Sequence, residues 1–237
     1  MKLDVLRRLF DESSYTVVFT GAGMSTEAGL PDFRSASTGL WNNIDPMELA
    51  STDAMYNNRE AFIDFYRYRV ESLRACTPHK GHEILAKWGR EGKVKSIITQ
   101  NVDGFHHLAG SESVAELHGT LRTCHCNDCR RRYPIDNFME LGTSCECCGF
   151  LRPSVVLFGE ELPEDAFIQA EREAKKADLF VAIGSSLTVS PANLFPQIAK
   201  QAGAKLVIIN IEKTGLDHLA DLIITNEKIG SILQQLE

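Results

Sequence analysis

The chain has 237 residues, a length that can bury a full hydrophobic core and that lies between one large domain and two small ones. Its 25 Lys and Arg residues stand against 32 Asp and Glu residues, and the formal charge of −7 argues against direct, sequence-independent nucleic-acid binding. No apolar run approaches the roughly 20 residues that span a bilayer, so no membrane partner is expected and a cytoplasmic location is predicted.

The first elements predict a nucleotide site. Residues 2–11 follow an amphipathic helical pattern, and the β-branched and aromatic run from Thr16 to Thr20 predicts a buried strand. The turn at residues 21–23 contains two glycines, so its backbone can approach a ligand closely, and a helix start follows. This order is typical of a dinucleotide-binding unit, in which helix N-terminal amides hold pyrophosphate. Thr26 replaces the third glycine of G-x-G-x-x-G, so a plain tight turn is an equal alternative for this segment alone.

The next stretch combines a loop with helices. Residues 31–34, with a proline, an acid, an aromatic ring and a guanidinium, predict a loop that closes over the ligand. From Leu40 to Ala75, apolar residues at spacings of three and four predict a helical insertion, and a further helix is predicted over residues 82–90. The apolar run Val94–Thr99 predicts a second buried strand.

The predicted strands end in polar residues. Residues 100–103 follow the second strand, and a third strand over residues 113–117 places His118 at the same edge, where ligands bind in open parallel sheets. Later elements alternate: strand 155–158, helix 164–175, strand 179–183, a helix after Pro191 and strand 205–210. The fold class predicted is therefore α/β, a doubly wound Rossmann-like parallel sheet with a small zinc-binding module and a helical insertion. The predicted division assigns residues 1–34, 77–121 and 152–237 to the Rossmann-like domain, 35–76 to the insertion and cofactor loop, and 122–151 to the zinc-binding module.

Six of the seven cysteines lie between residues 124 and 148, a clustering that favours metal over disulfides in a reducing compartment. Two C-x-x-C pairs, separated by fifteen residues, predict one structural zinc ion with four thiolate ligands: Cys126, Cys129, Cys145 and Cys148. A C-x-C chelate that uses Cys147 in place of Cys148, or one that uses Cys124, stays open as an alternative. Cys76 is predicted to be a small buried hydrophobe.

Seven motifs in order, GAGMSTEAGLPDFR, TQNVDGFHHLAG, ELHGT, the four cysteines, RPSVVLFGE, GSSLTVSP and NIE, resemble the sirtuins of bacterial type, the NAD-dependent protein lysine deacylases. The resemblance covers nearly the whole chain. It implies that His118 is the catalytic histidine, with Asn101 and Asp103 also in the catalytic group, and that NAD is the co-substrate. Together with the glycine turn, it gives a predicted cofactor site of Gly21, Ala22, Gly23, Thr26, Asp32, Phe33, Arg34, Gln100, Asn101, Val102, Asp103, His118, Gly184, Ser185, Ser186, Asn210, Ile211, Glu212 and Ile229, the last in a final loop.

The family couples cleavage of the lysine amide to breaking the glycosidic bond of NAD, and a histidine, with an ordinary pKa of about 6.5, can accept a proton from a ribose hydroxyl. The resemblance therefore implies a deacetylase that moves the acetyl group of lysine to ADP-ribose and releases nicotinamide. The acyl-lysine protein would bind as an extended strand beside residues 155–158. The predicted substrate site contains Phe33, Val156, Leu157, Phe158, Tyr66 and Arg69. His106 and His107 are predicted to be structural or solvated.

The acyl preference is open to a second interpretation. Tyr66 and Arg69 have the spacing of the tyrosine and arginine that bind an acidic acyl tail in the desuccinylase branch of the family, so desuccinylase or demalonylase activity is an alternative. Against it, the segment from residue 26 to residue 35 resembles the deacetylase branch. An NAD-sensing or mono-ADP-ribosylating protein with the same pocket is a further alternative.

Overall fold

The computed structural model describes residues 2–32 and 45–237. The predictions for Phe33 and Arg34, and for the part of the helical insertion before residue 45, lie outside the described residues. Among the residues that are described, no helix has both the length and the apolar character needed to cross a membrane.

The strands are β1 (Thr16–Thr20), β2 (Val94–Thr99), β3 (Val114–Glu116), β4 (Gly119–Cys126), β5 (Arg132–Pro134), β6 (Leu151–Val155), β7 (Leu179–Ile183), β8 (Lys205–Ile209) and β9 (Leu222–Ile224). A six-stranded sheet, all parallel, has the order β3-β2-β1-β7-β8-β9, and a three-stranded antiparallel sheet has the order β5-β4-β6. The chain order reverses between the neighbouring strands β1 and β7, and a crevice outside their carboxyl ends is where such sheets bind ligands.

Helices cover both faces of the larger sheet. Leu6, Trp88 and Ile232, from three different helices, share a buried cluster with one face, whereas Ala174 and Phe195 pack against the other. This doubly wound arrangement confirms the predicted fold class. The α-helices are α1 (Lys2–Glu12), α2 (Pro46–Leu49), α3 (Thr52–Asn57), α4 (Arg59–Arg74), α5 (Lys80–Arg90), α6 (Phe105–Leu108), α7 (Glu164–Lys176), α8 (Phe195–Gln201) and α9 (Ile229–Leu236), with 3-10 turns at Ala22–Ala28, Ala192–Leu194 and Asp217–Leu219 and a π-helical turn at Asn137–Leu141.

The antiparallel sheet and helices α2 to α4 form the second part of the structure. A third apolar cluster joins them: Phe62 and Tyr66 of α4 pack with Phe138 and with Leu157, a residue that follows β6. The stretch after β6 is therefore held between the helical insertion and the antiparallel sheet. The same stretch lines a cavity, so the helical insertion and the antiparallel sheet both contribute to the shape of that cavity.

Three predicted elements differ from the structure. The predicted strand 155–158 is wrong, since the regular strand is β6, which belongs to the antiparallel sheet and ends at Val155. Beyond it, the amides of Val156 and Phe158 donate to the carbonyls of His118 and Ala50. The helix after the glycine turn is a 3-10 segment, and Ile229 begins helix α9 rather than lying in a final loop.

Candidate active site and metal centre

A cavity of about 550 Å³ lies at the carboxyl ends of β1, β2, β7 and β8, within the size range of small-molecule sites. Most of the predicted site residues line it: Ala22, Gly23, Thr26, Asp32, Tyr66, Arg69, Gln100, Asn101, Val102, His118, Val156, Leu157, Phe158, Gly184, Ser185, Ser186, Asn210, Ile211, Glu212 and Ile229. Gly21 and Asp103 do not line this cavity, although both hydrogen-bond to side chains beside it.

The glycine turn after β1 packs directly on the turn after β7. The amide of Gly23 donates to the carbonyl of Gly184 at 2.8 Å, and a Cβ added to Gly23 would lie 2.8 Å from the Gly184 Cα. Gly184 has a φ of +62°, and a Cβ there would lie 2.4 Å from the Met24 amide nitrogen. These contacts are with backbone, which cannot rotate away. The sequence needs glycine at these positions so that the backbone itself can form one wall of the cavity.

A hydrogen-bonded group of side chains connects this turn with the end of β2. The Asn101 amide nitrogen donates to the Gly21 carbonyl at 3.0 Å and to the Ser25 hydroxyl at 3.2 Å, and Ser25 donates to Asp103 at 2.8 Å. Asp103 also accepts from the Phe105 amide at 2.8 Å. Asn101, Asp103 and Ser25 are all buried, so each side chain is held in one orientation. Burial raises the pKa of Asp103 above its ordinary value.

Sequence reasoning missed Ser25 as a site residue, because a serine at a helix start is usually a cap. Its position two residues after the glycine turn is the sequence feature that could have placed it at the site.

His118 and Gln100 face the cavity from neighbouring strand ends. The His118 Nδ1 lies 3.1 Å from the Gln100 carbonyl oxygen, and the Gln100 side-chain oxygen accepts from the Ser185 hydroxyl at 2.8 Å. A carbonyl can only accept, so Nδ1 carries the proton in this contact and Nε2 is the nitrogen that can take one up. The contact therefore orients the His118 ring through its Nδ1 atom.

The turn after β8 and the start of α9 also line the cavity, through Asn210, Ile211, Glu212 and Ile229. The side chain of Asn210 donates to the Glu212 carbonyl at 2.9 Å, which fixes the turn after β8. Sequence reasoning missed three lining residues here, Glu27, Glu227 and Lys228. Glu27 could have been found from the sequence, because it is a charged residue just after the glycine turn. Its carboxylate accepts a hydrogen bond from the Gly230 amide at 2.8 Å, which connects the cavity wall to α9.

The cavity also has an apolar lining formed by Val156, Leu157 and Phe158, and Tyr66 and Arg69 of helix α4 line it as well. Tyr66 is 2% exposed, and burial raises the pKa of its hydroxyl to about 12. Burial also lowers the pKa of Arg69 from its ordinary value, opposed by the fields of Tyr66 and Asp103. Tyr66 and Arg69, the two residues that could bind an acidic acyl group, thus line the same cavity as His118.

Two histidines outside this cavity lie buried side by side. The rings of His82 and His106 have centroids 5.0 Å apart, and the His106 Nε2 lies 2.9 Å from the Thr20 hydroxyl. Burial lowers the pKa of His82 to about 2 and that of His106 to about 3. His106 is therefore neutral and structural in the folded protein, and His107 is partly exposed near Glu116.

The cysteine cluster contains Cys126, Cys129, Cys145 and Cys147, whose sulfur atoms all lie within 4.8 Å of one another. Cys126 and Cys147 sulfurs are 3.5 Å apart, and those of Cys129 and Cys145 are 3.7 Å apart. Four sulfurs placed about 2.3 Å from a tetrahedral zinc ion would lie about 3.8 Å apart, so the arrangement fits the ion. The backbone amide of Cys147 and the hydroxyl of Tyr133 lower the pKa of Cys145.

Cys148, the fourth ligand that the C-x-x-C spacing predicted, is not in the cluster. Its amide donates to the Cys145 carbonyl at 2.8 Å, and its φ of +67° places it in a left-handed turn with an exposed side chain. Cys147, and not Cys148, takes the position beside Cys126. The structure therefore supports the C-x-C alternative.

Comparison with known proteins gives consistent matches. The model of the Sir2 family matches residues 21–191. The NAD-dependent protein deacetylase of Oceanobacillus iheyensis is 56% identical over 98% of this chain and 98% of its own length, and NAD-dependent protein deacetylase 1 of Geobacillus kaustophilus is 58% identical over 94% and 93%. Among solved structures, a complex of Sir2 with a p53 peptide and NAD+ superimposes with a TM-score of 0.90 at 34% identity, covering 100% of this chain and 97% of the other. A Sir2 variant with a deacetylated p53 peptide and 3'-O-acetyl ADP-ribose superimposes with a TM-score of 0.94 at 33% identity, with the same coverage.

Proposed function

The chain belongs to the Sir2 family, the sirtuins, and on that basis we propose that it is an NAD-dependent protein lysine deacetylase. The acetyl group would move from a lysine side chain to ADP-ribose, with release of nicotinamide. The observation that carries this proposal is that His118 lines the same cavity as the glycine turn and as Val156, Leu157 and Phe158.

The residues of the cavity fit NAD. Because Gly21, Gly23 and Gly184 carry no side chain, the turns after β1 and β7 pack backbone against backbone. Gly23 and Gly184 line the cavity there, where a pyrophosphate would lie. Asn210 and Glu212, which line the same cavity, offer polar groups for the adenosine half. When bound, NAD supplies a glycosidic bond whose cleavage drives removal of the acyl group.

The catalytic work of the protein falls to three side chains. Asn101 is fixed by the Gly21 carbonyl and Ser25, and Asp103 is fixed by Ser25 and the Phe105 amide, so both present defined polar groups without reorganisation. His118, protonated at Nδ1 toward the Gln100 carbonyl, would accept a hydroxyl proton at Nε2. These roles make His118 the general base and Asn101 and Asp103 orienting groups.

The cysteine cluster would hold one structural zinc ion through Cys126, Cys129, Cys145 and Cys147. Four thiolates complete a tetrahedral site and leave no position for a reacting water, so the ion would stabilise the antiparallel sheet rather than take part in the chemistry.

The protein substrate would bind as an extended strand between residues 155–158 and residues 189–191, which line the cavity together. Solved Sir2 complexes that contain peptides support this site. We keep the predicted division into a Rossmann-like domain, a helical insertion and a zinc-binding module. We also place the protein in the cytoplasm, because a cysteine cluster that would hold zinc is typical of a reducing compartment, and assign it no direct nucleic-acid binding, in line with its net charge of −7.

Product analysis tests the deacetylase proposal. The protein is incubated with NAD and an acetyl-lysine peptide, and the products are identified by mass spectrometry. We expect nicotinamide, deacetylated peptide and O-acetyl-ADP-ribose. Nicotinamide with an ADP-ribosylated peptide would indicate the mono-ADP-ribosylating alternative, and NAD binding without products would indicate a sensor.

The position of Tyr66 and Arg69 supports a second acyl specificity. Both side chains line the cavity that holds Phe158 and His118, and a guanidinium there could pair with the carboxylate of a succinyl or malonyl group. Such a charge-assisted bond would favour the acidic acyl group by about 1.5–3 kcal/mol, or roughly tenfold or more in kcat/KM. Comparing acetyl and succinyl versions of one peptide, with the parent and Arg69→Met proteins, decides between them. A succinyl preference that disappears in Arg69→Met would overturn the preference for acetyl.

A further inference from the structure

A buried ion pair stabilises the segment that follows β6. Arg152 of β6 is 3% exposed, and its Nη2 lies 2.5 Å from a Glu160 carboxylate oxygen. The second nitrogen, Nη1, donates to the Val155 carbonyl at 2.9 Å. The other Glu160 oxygen accepts from the Leu157 amide at 2.9 Å, and the Glu160 amide donates to the Leu157 carbonyl at 3.0 Å. Arg152 and Glu160 therefore close residues 155–160 into one hydrogen-bonded loop.

The loop contains the apolar wall of the cavity. Val156, Leu157 and Phe158 lie within it, and all three line the cavity together with Gly159 and Glu160. Arg152 itself does not line the cavity, so it can act on a bound molecule only through the loop.

The third nitrogen of Arg152 connects the loop to the cysteine cluster. Its Nε donates to the side-chain oxygen of Asn127 at 3.3 Å. Asn127 lies between the clustered residues Cys126 and Cys129; its amide donates to the Phe150 carbonyl at 2.8 Å and its side-chain nitrogen donates to the Tyr56 hydroxyl at 3.2 Å. The three guanidinium nitrogens thus bond to three different residues, Glu160, Val155 and Asn127, as the planar geometry of the group allows.

Burial lowers the pKa of Arg152, a sign that the charge is removed from water, and a buried charge is tolerated only with good partners. Removing one partner from such a group weakens the placement of the others, because they share one rigid guanidinium. Asn127 lies at the rim of this network and is half-buried, so it can be changed without emptying the core.

We propose that Asn127 and Arg152 are positioning residues for the peptide: through Glu160 they hold the loop of residues 155–160 in the shape that binds the acyl-lysine substrate. The inference rests on the proposed function, since it assigns residues 155–160 to the peptide. It concerns the protein substrate and not NAD, because no contact of Arg152 or Asn127 reaches the described part of the glycine turn.

The test compares Asn127→Ala with Asn127→Asp. Asn127→Ala removes the acceptor for Arg152, whereas Asn127→Asp keeps an oxygen for Arg152 and lets the Tyr56 hydroxyl donate to the new carboxylate. Asp128→Asn, an exposed neighbour in the same knuckle, is the matched control. For each protein the peptide KM, the NAD KM and kcat are measured, together with the peptide Kd by fluorescence anisotropy, the zinc content and the melting temperature.

We expect Asn127→Ala to raise the peptide KM and Kd by roughly three- to tenfold, less than the full value of one charge-assisted hydrogen bond because Asn127 acts on the peptide only through the loop, with the NAD KM and zinc content unchanged. Asn127→Asp and Asp128→Asn should behave as the parent. Arg152→Lys, which keeps the charge but loses the fork, should reproduce the effect of Asn127→Ala. Unchanged peptide binding in both Asn127→Ala and Arg152→Lys would overturn the inference. Equal increases in the peptide KM and the NAD KM would also overturn it. A parent protein that releases no acetyl group would instead refute the proposed function, so the two failures are distinguishable.

Discussion

The change Gly184→Ala tests the wall of the cavity. Gly184 has a φ of +62°, and its added Cβ would lie 2.4 Å from the Met24 nitrogen and 2.6 Å from the Gly23 carbonyl carbon. The left-handed conformation costs alanine about 1–2 kcal/mol. Forcing the backbone of the two turns apart adds roughly 1–3 kcal/mol, the usual cost of overpacking. The free energy of unfolding should therefore fall by roughly 2–5 kcal/mol in this variant.

Gly92→Ala is the matched control, because Gly92 also has a positive φ, +74°, but its Cβ would meet only the flexible end of Lys95 at 3.6 Å. It should lose only the conformational cost of about 1–2 kcal/mol. For a chain of this length each kcal/mol shifts the melting temperature by about 2–4 °C, which predicts a drop of roughly 4–20 °C for Gly184→Ala against roughly 2–8 °C for Gly92→Ala.

NAD binding should weaken in Gly184→Ala and not in Gly92→Ala. Moving the turn after β1 away from Gly184 breaks the 2.8 Å hydrogen bond from the Gly23 amide and displaces the predicted pyrophosphate site. We expect the NAD KM to rise roughly tenfold, equivalent to about 1.4 kcal/mol, in Gly184→Ala and to stay unchanged in Gly92→Ala. Thermal unfolding and steady-state kinetics measure both effects. Equal melting temperatures in the two variants, together with an unchanged NAD KM, would refute the reasoning.

Three further predictions concern a base, a metal and a pH dependence. His118→Ala should keep NAD affinity within a few-fold but lower deacetylation by roughly 10²-fold or more, and full turnover would exclude the base role. Metal analysis should find no zinc in Cys147→Ser and one ion in Cys148→Ser, whereas the reverse result would restore the C-x-x-C assignment. Because burial lowers the pKa of His82 to about 2 and of His106 to about 3, both gain protons on unfolding below a pH of about 6.5. Their contribution to the free energy of unfolding is therefore complete above that pH and lost as the pH falls below it. Urea titrations at pH 7 and pH 5 should show this drop, with a smaller one in His106→Gln; an equal drop in that variant would contradict the assignment.

The parallel strands could be predicted from the sequence because each is an apolar, β-branched run between polar ends. The predicted bounds for Leu179–Ile183 coincide with β7, and those for Val94–Thr99 coincide with β2. Such strands are buried on both faces, so the composition alone identifies them. Polar residues at their carboxyl ends then predict where the cavity lies.

Strand β6 could not be predicted in the same way. Its residues include Arg152 and Pro153, a charge and an imino acid that usually argue against a strand, whereas the apolar run after it, to Phe158, has the composition of one. Long-range partners decide the outcome: Arg152 is neutralised by Glu160, and the amides of the apolar run bond to His118, Glu160 and Ala50. None of these partners is visible in local composition.

The fourth zinc ligand could not be predicted from the spacing of the cysteines alone. Cys147 and Cys148 are neighbours, and either could complete four thiolates on distance along the chain alone. The backbone decides between them, because the left-handed turn at Cys148 closes on the Cys145 carbonyl and leaves Cys147 beside Cys126. A residue in that conformation cannot be identified from the sequence unless it is glycine or asparagine.

The stoichiometry of the reaction tests the central proposal most directly. With NAD and an acetyl-lysine peptide both present, nicotinamide and deacetylated peptide are quantified over time by liquid chromatography. We expect one nicotinamide for each acetyl group removed, and neither product when the other substrate is left out, because His118 shares one cavity with the glycine turn and with Phe158. Deacetylation without NAD, or with free acetate and no nicotinamide, would contradict the account.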